Sequence, residues 1–354
     1  MTYCAGWKSQ DAVFLLADTA VTKKSKPATT HSSFGQLHDE VQGEYVEEGL
    51  LKLVPLNSGT AAAFAGDVDL ATSCLDFLRS RITVTTSPRD LLQGLTVSLG
   101  PFPKERPVEI LLAFTDEAGR SDLVHWDSLR GLDPTESDYY QIGSLTSYHA
   151  ALTPELISLF VSGNLDTERM LSVVSAIVQS YGIHDDLIRM NVGGLIFGAM
   201  SRLGSVTWQP DTNFVLYSLD FSFRAVITAI CRDNMLVLSS SITDDTRIFA
   251  HSVSMPRVGA LTEDWLQRAK REIDSGATPL WVFISTVGRV ITLIFRADVN
   301  MESRYVKFTN LGGGNFDLEL SPDLMELLRQ PLQDRNDDSM PFRLNVRNDW
   351  NATT

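Results

Sequence analysis

Cysteine is scarce in this sequence. Its three residues, Cys4, Cys74 and Cys231, stand far apart, which excludes a disulfide framework and gives no zinc-ligand spacing. Long apolar runs are also missing, and no stretch approaches the ~18 uninterrupted apolar residues of a membrane helix. The opening Met-Thr-Tyr-Cys-Ala-Gly-Trp-Lys lacks the basic region and apolar core of a secretory signal. These absences lead to the expectation of a cytoplasmic protein with no membrane partner. Positive charge is in short supply too. The 30 Lys and Arg are outnumbered by 44 Asp and Glu, for a formal net charge of −14, whereas binding to phosphates needs a basic face. Nucleic acid is therefore not an expected partner. Gly312-Gly313-Gly314 has no Lys-Ser or Lys-Thr after it, so it reads as a hairpin turn rather than a phosphate loop. His184 and Asp185-Asp186 have no partner at metal-ligand spacing, and neither metal nor cofactor is expected.

What remains is an ordinary globular composition, 44% hydrophobic, with room for one large domain or two modest ones. Residues 11–17 read as a buried strand. Residues 23–49 hold the one compact basic cluster (Lys23, Lys24, Lys26) and an acidic run (Asp39, Glu40, Glu44, Glu47, Glu48), and read as a long solvated loop. A strand pair follows over 50–56 and 60–65, turning at Asn57-Ser58-Gly59. Leu70, Cys74, Phe77 and Leu78 then recur at helical spacing behind Asp67 and Asp69, and a second helix opens at Ser87-Pro88. Strands are expected over 108–114, 122–127, 140–144 and 192–198, and helices over 154–162 and 167–181. Beyond 205 the texture is mostly strands (214–223, 225–230, 236–239, 281–286 and 289–295), with one helix at 262–273 and a loose tail after 340. Strand pairs interrupted by helix pairs predict an α/β sandwich over residues 2–205, followed by a strand-rich extension over 206–340.

Thr2 is the first candidate for chemistry. Processing that removes Met1 leaves a residue carrying both a hydroxyl nucleophile and its own α-amine. That amine, with an ordinary pKa of about 7.7–8.0, can serve as a base near neutral pH. Many proteins begin Met-Thr, so Thr2 alone carries little. Its surroundings carry more. Thr2-Tyr3-Cys4-Ala5-Gly6, the strand Val13–Ala17, and Asp18 stand ahead of Lys52 and the Ala65-Gly66 step that opens a helix. Tyr140-Gln141-Ile142-Gly143-Ser144 and Val192-Gly193-Gly194 follow in that order.

This set resembles proteasome β-type subunits, a family of N-terminal-nucleophile hydrolases, over about residues 2–205. The opening Met-Thr-Tyr-Cys is most similar to the bacterial homologues called Anbu. The resemblance implies a four-layer α/β/β/α sandwich and a threonine peptidase acting through an acyl-enzyme. Thr2 would attack, Lys52 would lower the effective pKa of its hydroxyl, and Asp18 would hold Lys52. The Gly66 N–H would stabilise the oxyanion, and Ser144 would bond the Thr2 amine. Thr22 would align an extended substrate through its backbone, and Phe64 and Val68 would line the pocket for the residue before the cut. It also implies a homo-oligomer, ring or open helix, a peptide or protein substrate, and a separate ATPase unfoldase as a possible partner.

Two features depart from the pattern. The segment between Asp18 and Lys52 is longer than usual and carries His31, Ser32, Ser33 and His38. Arg189 and Val192 stand where the family has an aspartate and the serine of Ser-Gly-Gly. The second departure keeps open an inactive proteasome-like scaffold, and a further alternative, an amidase of a small molecule, keeps the nucleophile but changes the substrate.

Overall fold

Two apolar runs, Tyr3–Ser9 (β1) and Ala12–Ala17 (β2), meet across a tight turn in which Gln10 has a positive φ of 54°. They pair antiparallel, Cys4 opposite Ala17, and form the first hairpin of this computed structural model. The structure describes residues 2–24, 45–83, 87–144 and 194–209, helical positions scattered between 153 and 178, short strands at 31–32 and 35–36, and the strands beyond 211.

Every residue of β2 is buried, as a central strand covered on both faces demands. It sits in the middle of a five-stranded antiparallel sheet ordered β12-β1-β2-β13-β14. The later members are β12 (Tyr139–Gly143), β13 (Phe197–Arg202) and the half-exposed edge strand β14 (Ser205–Trp208). Between them in sequence come β3 (Ala20–Lys23), β4 (His31–Ser32), β5 (Gly35–Gln36) and β6 (Tyr45–Glu48). The second five-stranded antiparallel sheet is ordered β11-β10-β9-β8-β7. It is built from β7 (Leu53–Pro55), β8 (Thr60–Gly66), β9 (Val108–Thr115), β10 (Ser121–Asp127) and β11 (Gly131–Leu132).

The sheets pack on one another, β2 and β13 against β8 and β9, and β1 against β10. Trp7, wholly buried, stacks on Phe14 with ring centroids 5.0 Å apart. Helix α1 (Val68–Arg81) packs on β8 and β9, and α2 (Pro88–Leu99) on β10 and β11. Trp126 fixes the second contact, its indole N–H donating to Thr96 at 3.1 Å. Against the first sheet stand buried helical residues Leu171, Val174, Ser175 and Val178, at helical spacing. Leu171 comes so near β13 that a Cβ on Gly198 would lie 2.4 Å from it, and Ser175 donates to the Leu171 carbonyl or to Gln209. The chain is thus of α/β class, with two antiparallel sheets and helices.

The strands after 211 form a seven-stranded sheet and a hairpin. The sheet is ordered β18-β17-β16-β15-β20-β19-β23, from β15 (Thr212–Ser218), β16 (Arg224–Arg232), β17 (Met235–Ile242), β18 (Asp245–Ser254), β19 (Thr278–Ser285), β20 (Val290–Arg296) and β23 (Phe342–Leu344). The hairpin is β21 (Val306–Gly312) with β22 (Asn315–Leu320), and Gly313-Gly314 between them lie outside the described residues.

Three expectations need correction. The segment 23–49 is not one solvated loop: β3 pairs with β6, and Glu48 is buried. The strand placed at 192–198 starts at Phe197, because Gly194 bends the chain at φ +69° and the Leu195 N–H goes to a side chain instead of a ladder. The tail after 340 includes β23, which pairs with β19. Of the strand placed at 214–223, residues 214–218 belong to β15, and 219–223 lie outside the described residues. The helix expected at 262–273 lies outside the described residues.

Replacing Trp7 with alanine removes one of the two largest wholly buried side chains among the described residues and one side of its stack. The expected cost is ~3–5 kcal/mol of unfolding free energy, read from the shift in a urea unfolding midpoint.

Candidate active site

Asp18 follows the last residue of β2, and its carboxylate is completely buried. Its partners include two donors. The Tyr3 N–H donates to Oδ1 at 3.2 Å, while the Asp18 N–H donates back to the Tyr3 carbonyl at 3.0 Å. The Lys52 ammonium, 2% exposed, donates to the same Oδ1 at 2.5 Å. Asp18 therefore fixes two things together: the backbone just after Thr2, and the charged end of Lys52. The Lys52 carbonyl takes the Phe64 N–H at 3.2 Å, which ties the lysine to β8.

Thr2 is itself buried, 7% exposed. Its carbonyl accepts the Ser144 N–H at 2.6 Å. Gly143, φ +87°, faces that carbonyl so closely that a Cβ would stand 1.8 Å from it. Only glycine allows this approach. The Gly143 N–H donates to Glu109 Oε2 at 3.1 Å. Burial raises the Glu109 carboxyl, but His125 and the Gly143 N–H outweigh it and hold the group below its ordinary range.

Thr2, Thr22, Lys52, Phe64, Gly66 and Val68 line one cleft of about 300 Å³. Six of the eight residues singled out in the sequence thus share a cavity, Asp18 reaches it through Lys52, and Ser144 contacts Thr2 through its backbone. Phe64 is buried and gives the cleft an apolar wall. The Thr22 hydroxyl oxygen is buried without a hydrogen-bond partner. Gly66 ends β8 at φ +98°, opposite Val108, and its missing Cβ would collide with the Pro107 carbonyl at 2.0 Å.

No family model matches the chain, and no curated protein matches it either. The site must therefore be read from its own chemistry. A buried ammonium held by one carboxylate, open to a cleft that a threonine also lines, can stabilise an alkoxide on that threonine. Cys4 is no rival nucleophile. Burial pushes its thiol well above the ordinary range, the Asp18 carboxylate pushes it further, and its Sγ–H points to the Phe64 carbonyl at 3.3 Å.

Three contributions escaped the sequence. Glu48, placed in a solvated acidic run, is buried and accepts the Leu195 N–H at 2.5 Å and the Thr19 hydroxyl at 3.1 Å. It ties β6 to the entry of β13 next to Asp18. Glu109 supports the Gly143 turn. Asp67, read only as acidic charge at a helix start, caps α1 through Leu70 N at 3.0 Å and also accepts from Arg106. Arg106 holds the Asp67 carboxyl below its ordinary range, so this contribution to stability exists above that range and disappears as pH falls through the lowered value. His31 and Ser32 form β4, while Ser33, His38, Arg189 and Val192 lie outside the described residues. Among the described residues, no group of three or more His, Cys, Asp or Glu is placed to hold a metal, and no helix is long and apolar enough to cross a membrane.

Breaking the Asp18–Lys52 pair leaves one buried charge unpaired. Asp18→Asn and Lys52→Met are each expected to cost ~3–5 kcal/mol, whereas the double variant costs less than their sum. Urea unfolding of the four proteins checks this.

Proposed function

We propose that this chain is a threonine-type N-terminal-nucleophile hydrolase, related to proteasome β-type subunits, that cuts amide bonds after Met1 is removed. The observation carrying this reading is the buried Asp18–Lys52 pair at a cleft shared with Thr2 and Gly66. The four-layer α/β/β/α sandwich belongs to the same proposal, and the two packed sheets with helices against them support it.

In this mechanism the Thr2 α-amine takes the hydroxyl proton and Oγ adds to the substrate carbonyl. Lys52 lowers the cost of negative charge on Oγ, and Asp18 keeps the ammonium in place. The Gly66 N–H stabilises the oxyanion. The C–N bond breaks, the amine leaves with the proton, and an ester on Thr2 remains. Water then adds to that ester and regenerates Thr2. Phe64 and Val68 supply an apolar pocket for the residue before the cut, and the Thr22 backbone aligns the extended chain.

A peptide fits better than a small amide. Gly66 and Asp69 stand exposed at the rim, so the cleft opens to solvent on that side. By resemblance the working form is a homo-oligomer in the cytoplasm, with a separate ATPase unfoldase as a possible supplier of substrate.

Purified protein is expected to have lost Met1 and to hydrolyse a fluorogenic peptide amide with a large apolar residue before the amide. Thr2→Ala and Lys52→Ala should each reduce turnover by ~10³-fold or more, and Thr2→Ser should retain part of it. Equal turnover by Thr2→Ala would overturn the hydrolase reading. Processed, folded wild-type protein without turnover would favour the scaffold.

A further inference from the structure

Gly66 poses a mechanical problem for the site it lines. Its φ of +98° is open only to glycine, and glycine has no side chain to lock its backbone. Upstream, pairing with Val108 in β9 holds it. Downstream, everything depends on Asp67. The Asp67 N–H donates to the Pro107 carbonyl at 3.0 Å, and its carboxylate receives a two-pronged bond from Arg106, Nε to Oδ2 at 2.7 Å and Nη2 to Oδ1 at 2.8 Å. Backbone and side chain of one residue thus grip two consecutive residues of the loop entering β9. That loop is itself closed by the Arg106 N–H donating to the Pro103 carbonyl at 3.2 Å.

We propose that the Asp67–Arg106 pair is a positioning device that orients the Gly66 backbone along the wall of the Thr2 cleft. This inference rests on the hydrolase reading above. Two observations separate it from an ordinary surface ion pair. Arg106 is 47% exposed, so the pair adds little to stability, while its bidentate geometry fixes direction. Asp67 and Gly66 also line the same cleft as Thr2, so a rotation at residue 67 is felt where the oxyanion would form. Neither side chain touches the reacting atoms, and both act through Gly66.

The cap and the fork can be separated. Serine caps a helix about as well as aspartate but cannot accept a guanidinium on two oxygens. Asp67→Ser therefore keeps α1 capped and loses the fork, and Arg106→Ala leaves the cap in place. Thermal unfolding followed by circular dichroism verifies that each variant is folded.

The readout is the ratio of labelling rates for two probes, followed by intact mass. With a β-lactone, Thr2 Oγ adds to the carbonyl, an oxyanion forms and collapses, and the ring C–O bond breaks. The released alkoxide takes the threonine proton, leaving an ester of the whole probe. With a peptide vinyl sulfone, Oγ adds to the alkene carbon and the proton moves to the adjacent carbon, with no oxyanion at a carbonyl. Misplacing the Gly66 N–H should lower the β-lactone rate at least ~10-fold relative to the vinyl sulfone rate in both variants. The double variant should be no worse than either alone, because each removes the same bond. Arg106→Lys, which keeps the charge without the fork, should recover only part of the loss.

A folded Arg106→Ala protein with the wild-type ratio would overturn the inference and leave the hydrolase reading intact. Wild-type protein labelled by neither probe would overturn both.

Discussion

The site depends on one buried charge pair. Asp18 and Lys52 lie 2.5 Å apart with almost no exposed surface, and burying either alone would be strongly unfavourable. Three strands must meet correctly for the pair to exist: β2 delivers Asp18, the approach to β7 delivers Lys52, and β1 offers the Tyr3 N–H to the same carboxylate oxygen. Packing of the two sheets and alignment of the site are therefore a single requirement. A sheet slip that moved Lys52 away from Asp18 would strand a charge in the core, so the pair selects the register in which Thr2 and the lysine line one cleft.

Close backbone approaches complete what the pair begins. Gly143 lets the turn after β12 lie against the Thr2 carbonyl, and Gly66 lets β8 end against the Pro107 carbonyl. Both have positive φ, and a side-chain carboxylate supports each place: Glu109 accepts from Gly143, and Asp67, the residue after Gly66, accepts from Arg106. Glu48 plays a comparable part at Gly194-Leu195. Conformational freedom is placed where backbone must come close, and a carboxylate, distant in sequence at Gly143 and Gly194 and adjacent at Gly66, then restrains it.

Much of this could be read from the sequence. The continuous apolar run of β2, the Asn57-Ser58-Gly59 turn between β7 and β8, and the period of α1 behind Asp67 are local signals, and the structure has these elements where those signals place them. The grouping of Thr2, Thr22, Lys52, Phe64, Gly66 and Val68 came from resemblance, and one cleft holds all six. Glu48 could not be read, because an acidic residue among acidic residues looks solvated until a distant N–H, that of Leu195, is seen to need it. The β3–β6 pairing was hidden for a similar reason: its strands are four residues each and flank a polar stretch with no period. Arg106 was invisible as well, since a bidentate partner 39 positions away leaves no local pattern.

The central claim is that nucleophile and base reside on one residue, the hydroxyl and free α-amine of Thr2. A peptide epoxyketone tests it most directly, because it closes a ring by bonding to both atoms of the same threonine. Tandem mass spectrometry of the N-terminal peptide after treatment should find Met1 absent and a single adduct bridging Thr2 Oγ and its nitrogen. Met1 still attached, or the adduct confined to another residue such as Cys4, would contradict the account.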